Sequence, residues 1–130
     1  MAQEPLRADR PSQPRKGKGR PDGHHHRPGP AYAAIDLGTN NCRMLIARKT
    51  PGGFRIIDAF SRIVRLGEGL NESGALSDAA SERVMEALKI CAEKMDRREV
   101  VKARCIATQA CRTATNGPDL MARIRDELKL

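Results

Sequence analysis

The chain has no tryptophan, one tyrosine and two phenylalanines in 130 residues. Single-stranded nucleic acid is usually gripped by aromatic platforms on which bases stack. Three scattered rings, Tyr32, Phe54 and Phe60, therefore argue against nucleic acid as a partner. No apolar run approaches the roughly 20 residues that a membrane-spanning helix needs, and the first residues lack the apolar stretch of a secretory signal. No membrane partner is expected. The four cysteines, Cys42, Cys91, Cys105 and Cys111, form neither a C-x-x-C pair nor a dense disulfide scaffold. Three of them lie inside apolar patterns, as buried thiols in a reducing cytosol would. A cytoplasmic location follows as the expectation.

What is present is distributed unevenly. Residues 1–30 hold six of the eight prolines, all three histidines and almost no large apolar residue beyond Leu6. Such a segment cannot bury enough apolar surface to offset the entropy of ordering it. It reads as a disordered basic tail, with residues 31–130 left to fold as one lobe. The formal net charge of +8 falls on both parts and favours polyanions by long-range attraction. Charge does not distinguish nucleic acid from polyphosphate or a highly phosphorylated nucleotide. His24, His25 and His26 could chelate nickel or zinc weakly, but three adjacent imidazoles fix no geometry, and an incidental polar run is the simpler reading.

From Tyr32 onward the pattern predicts elements. Strands are expected at Tyr32 to Leu37, Arg43 to Lys49 and Phe54 toward Leu66, the last two separated by the turn signal Thr50-Pro51-Gly52-Gly53. Imperfect alternation in the third strand predicts a bulge near Asp58 to Ser61. Gly67 to Gly74 reads as a glycine-rich loop. Ser77 then caps a helix whose apolar stripe is Val84, Leu88, Cys91 and Met95. A fourth strand, Val100 to Thr108, follows a helical connection and should lie parallel in the sheet. A second helical region over 109–130 is broken at Asn116-Gly117-Pro118, with Leu120, Ile124 and Leu128 on one face.

Two segments carry chemistry. In Ile35-Asp36-Leu37-Gly38-Thr39-Asn40-Asn41, a turn between two strands brings together a carboxylate, a glycine, a hydroxyl and two carboxamides. Glycine permits a sharp bend and close approach of backbone N–H groups to an anion, and Thr39, Asn40 and Asn41 add donors. Asp36 suits a hard cation such as magnesium, which prefers oxygen ligands. A glycine turn between two strands is, taken alone, more often only a turn. The second segment, Ala107-Thr108-Gln109-Ala110-Cys111-Arg112, sets a hydroxyl at the carboxyl end of a strand and a guanidinium one turn into a helix. Ligands of open α/β sheets gather at that end, and Arg presents a planar fork to phosphate oxygens. Alone, Arg112 reads first as a surface helix charge.

With both segments in view, residues 31–130 resemble the N-terminal region of the exopolyphosphatase / guanosine pentaphosphate phosphohydrolase family. The matching blocks, in order, are Tyr32 to Asn41, Val64-Arg65-Leu66-Gly67-Glu68-Gly69-Leu70, Leu76-Ser77, and Ala107 to Arg112 with Asn116. The resemblance implies an α/β, ribonuclease-H-like fold of the actin, sugar-kinase and Hsp70 superfamily. The expected arrangement is a mixed sheet made of a three-strand antiparallel meander, a helix, a fourth parallel strand and a further helix. It further implies that Gly38, Thr39, Asn40 and Asn41 form the first phosphate loop, and that Arg43 faces the substrate's phosphate chain. Thr108 and Arg112 would form a second phosphate-contacting segment, with Asp36 on the side of a Mg2+ cofactor. The implied substrate is inorganic polyphosphate or guanosine pentaphosphate (pppGpp), and the full-length family admits a homodimer.

In that family, a Ser-Gly-x-Glu-Glu-Ala-Arg segment carrying the general base and a later Asp-Ile-Gly-Gly-Gly-Ser loop follow the position of Leu130. The expectation is an N-terminal portion of a hydrolase that binds phosphate and is inactive by itself, since water activation and part of the charge stabilisation would be missing. Two other readings stand beside it: a kinase or ATPase of the same superfamily, which shares Asp36 to Thr39, and a non-catalytic polyanion-binding module.

Overall fold

A computed structural model describes residues 28–130. The tail over 1–27, with His24 to His26, lies outside the described residues. Four strands form one sheet in the order β3-β2-β1-β4. Strand β1 (Ala31–Leu37) pairs antiparallel with β2 (Asn41–Thr50), which pairs antiparallel with β3 (Gly53–Ile63). Strand β4 (Val100–Ala107) runs parallel to β1 on its other side. The expected meander and parallel crossover are both present. The ladder reaches slightly upstream of β1, because the carbonyls of Pro30 and Gly29 accept from the Lys49 amide and the Arg48 guanidinium.

Period-two alternation decides which face is the core. Ala31, Ala33, Ile35 and Leu37 of β1 are buried, with Cys42, Met44 and Ile46 of β2 beside them. Helix α2 (Asp78–Arg97) covers that face. The Ser77 hydroxyl accepts from the Ala80 amide at 3.1 Å, satisfying one of the N–H groups a helix start leaves without a partner. The predicted stripe Val84, Leu88, Cys91 and Met95 is buried. Leu88 is fully enclosed, and truncating such a leucine to alanine costs about 3 kcal/mol through lost transfer energy and the cavity left behind. The short helix α3 (Gln109–Thr113) and the amphipathic α4 (Gly117–Leu128) complete the layer, with Cys111, Leu120 and Ile124 buried.

The sequence expectations need correction in three places. Strand β3 ends at Ile63 rather than Leu66, because the amides of Val64 and Leu66 leave the ladder and donate to the carbonyls of Asn40 and Thr39 at 2.8 and 2.7 Å. The bulge falls at Ile57, just before the expected window, since Ile46 pairs with Asp58 and Ala47 with Ile56. The glycine-rich loop contains one helical turn, α1 (Leu70–Ser73), bracketed by Gly69 and Gly74 at φ 76° and 70°. Those left-handed positions suit glycine because no Cβ meets the following carbonyl.

Candidate functional site

The parallel pairing of β1 and β4 determines the geometry of the rim. Leu37 and Ala107 are register partners, so both strands end at the same level. The next residues of each are the two segments that carry chemistry. The Thr108 amide donates to the Leu37 carbonyl at 3.0 Å, which places the start of α3 against the Gly38 turn.

Within the turn, the Gly38 amide donates to the Asn41 carbonyl at 2.8 Å and is engaged internally. The carbonyls of Thr39 and Asn40 are also engaged, by the amides of residues 64–67. Gly67 packs so close to the Thr39 methyl that a Cβ there would stand 2.8 Å from it. What remains open at the turn is the pair of Thr39 and Asn40 N–H groups, which meet no acceptor among the described residues, together with their exposed side chains. Two amides, a hydroxyl and a carboxamide on one bend form a concavity suited to an anion. Asn41 stands apart from them: it is half-buried and opens β2, paired with Ile63.

Asp36 and Arg43 are cross-strand partners and both are exposed. They project from the sheet face opposite the helices, because Leu37, Cys42 and Met44 beside them point into the core. Neither takes part in an ion pair among the described residues. An open cavity of about 660 Å³ lies over this face, lined by Ala34, Asp36, Arg43, Leu45, Arg104 and Ile106. Arg104 was not singled out from the sequence. It partners Ala34 across the β1–β4 ladder, and the alternation Lys102, Arg104, Ile106 within β4 was the signal that could have found it. No cluster of three or more His, Cys, Asp or Glu able to hold a metal occurs among the described residues. A lone exposed carboxylate nevertheless fits magnesium, which commonly takes one or two protein carboxylates and completes its shell with water and substrate phosphate.

On the other segment, Arg112 is exposed and makes no ion pair among the described residues. Thr108 differs from the sequence picture. Its hydroxyl oxygen is buried against the Cys111 thiol, whose pKa burial raises while the Thr108 hydroxyl works to lower it. It faces inward, and its amide already serves Leu37. Asn116, which belongs to the same block, is engaged structurally: its carboxamide accepts from the Leu76 amide at 2.7 Å and donates to the Leu76 carbonyl at 2.8 Å.

Residues 45–130 match the profile of the Ppx/GppA phosphatase family. The fold is similar to that of the crystal structure of the Aquifex aeolicus member of that family, with a TM-score of 0.75 and 31% identity, over 78% of this chain and 33% of that one. It is also similar to an exopolyphosphatase-like protein, with a TM-score of 0.71 and 30% identity over 77% of this chain and 31% of that one. An exopolyphosphatase from Cytophaga hutchinsonii matches with a TM-score of 0.73 and 27% identity, over 77% of this chain and 32% of that one. The chain thus spans about a third of the length of these solved relatives. No helix among the described residues is long and apolar enough to cross a membrane.

Proposed function

The chain belongs to the Ppx/GppA phosphatase family, and from that premise we propose that it forms a phosphate-gripping lobe for hydrolysis of inorganic polyphosphate or pppGpp. The observation that carries the reading is the shared rim: two segments distant in sequence are stitched together by the Thr108–Leu37 hydrogen bond. The open amides of Thr39 and Asn40 would receive phosphate oxygens. Arg43 on the sheet face and Arg112 on α3 would neutralise the charge of successive phosphates by charge-assisted hydrogen bonds.

Asp36 would hold Mg2+, which would supply positive charge to offset that of the phosphates. The protein's own residues bind, orient and neutralise. No residue of 28–130 is assigned to water activation, so this chain alone is expected to bind without turnover. Its four free cysteines support a reducing, cytoplasmic setting.

The test is calorimetric titration of the 130-residue chain with tripolyphosphate, alongside a phosphate-release assay. Saturable binding is expected, weakened about tenfold by Arg43→Ala or Arg112→Ala, the scale of one charge-assisted hydrogen bond, with no release of phosphate. Absence of binding, or binding indifferent to both substitutions, would overturn the reading. Tighter binding of ATP than of tripolyphosphate would favour a kinase-like or ATPase role.

A further inference from the structure

We infer that Arg83 is a positioning residue for the phosphate turn, acting through the segment 64–68. The inference rests on the reading of that turn as a phosphate grip. Arg83 stands on α2, and its guanidinium is engaged in three directions. Nε donates to the Val64 carbonyl at 2.8 Å, and Nη2 donates to the Arg65 carbonyl at 3.2 Å and to Glu68 Oε2 at 2.7 Å.

The same two peptide units face the turn with their other ends. The unit whose carbonyl belongs to Val64 sends its N–H, that of Arg65, to the Asn40 carbonyl at 3.2 Å. The unit whose carbonyl belongs to Arg65 sends its N–H, that of Leu66, to the Thr39 carbonyl at 2.7 Å. Each peptide plane thus bridges the guanidinium on one side and the turn on the other. A trans peptide is planar, with its C=O and N–H pointing in opposite directions. Holding the Thr39 carbonyl toward Leu66 therefore aims the Asn40 N–H the other way, out of the bend.

Two further observations fit a built device. Arg65 has φ 46°, a left-handed conformation uncommon for a residue with a side chain, which persists where the surroundings over-determine the backbone. The Arg83–Glu68 pair leaves side-chain exposures of 34% and 60%, so as a surface ion pair it adds little stability. Its effect is to fix the guanidinium plane. Lysine could not reproduce this, since a point charge has no rigid fork to serve two carbonyls and a carboxylate together.

The experiment compares tripolyphosphate affinity, by calorimetry on the full chain, for wild type, Arg83→Lys, Glu68→Gln and Arg112→Ala, with amide hydrogen exchange on each. Glu68→Gln is decisive, because removing a negative charge near the rim should tighten polyanion binding by simple electrostatics. A positioning role predicts the opposite sign: Glu68→Gln and Arg83→Lys each weaken binding between about twofold and tenfold. Faster exchange should appear at Leu66 and Gly67, while the α2 amides keep their protection. If wild type binds and Arg112→Ala weakens it, yet Glu68→Gln binds as tightly as wild type or tighter, the inference is overturned and the phosphate reading survives. If wild type does not bind, the phosphate reading falls. Unchanged exchange at Leu66 and Gly67 in Arg83→Lys would also overturn the inference.

Discussion

The amide of Thr108 donates to the carbonyl of Leu37 at 3.0 Å, joining the ends of two parallel strands far apart in the chain. Parallel neighbours end at the same side of a sheet, and the residues just past their carboxyl ends therefore share one crevice. That relationship, more than any single side chain, brings the Gly38 turn and the α3 start to one rim.

Asn116 should matter for stability rather than binding. Its carboxamide satisfies both backbone groups of Leu76, just ahead of the Ser77 cap. Asn116→Ala leaves a donor and an acceptor without partners in a partly buried place, and a loss of about 2 kcal/mol is expected. Urea unfolding followed by circular dichroism measures this, and a midpoint equal to wild type would contradict it.

Acid should weaken the tie between β3 and α2. Asp58 meets Lys94 Nζ and Arg98 Nε, each at 3.4 Å. Desolvation works to raise its pKa, but the Ala59 amide and the two cations outweigh it and hold the carboxyl below its ordinary value. A depressed folded-state pKa means that the stability contribution is present above the unfolded pKa of about 3.9 and is lost as pH falls through the folded value. Asp58→Asn is expected to melt lower than wild type at pH 7, with the gap closing below about pH 4. A gap that stays constant with pH would refute the assignment.

The sheet face away from the helices exposes Leu45, Phe54, Ile56, Ile63 and Ile106, each about half exposed or more. Among the described residues strand β4 is an edge of the sheet, and its own residues are nearly all exposed. Contiguous apolar surface beside an unpaired edge promotes association. Sedimentation velocity should show oligomers growing with concentration, and Leu45→Lys with Ile106→Lys should shift the distribution toward monomer. A wild-type chain that stays monomeric at high concentration would contradict this.

Much of the fold was legible because its signals are local. Alternation in β1 and β2, the Ser77 cap and the Val84 to Met95 stripe each follow from a few neighbouring residues. The end of β3 was not legible. Val64 and Leu66 fit the apolar pattern, and only the distant carbonyls of Asn40 and Thr39 draw their amides out of the ladder. The site was half legible for the same reason. Residue types singled out the turn and Arg112 as candidates, but the inward burial of the Thr108 hydroxyl, the placement of Arg104 over the open face and the Arg83 clamp depend on tertiary packing. Asn116 belonged to a recognised block, yet its partner Leu76 lies 40 residues away.

The most direct measurement is a titration of isotopically labelled chain with tripolyphosphate, following the amide resonances of Thr39, Asn40 and Arg112. Shifts at all three with one common midpoint are the predicted result, since a single phosphate chain would then be held by both segments at once. Shifts confined to one segment, or two separate midpoints, would contradict the shared site.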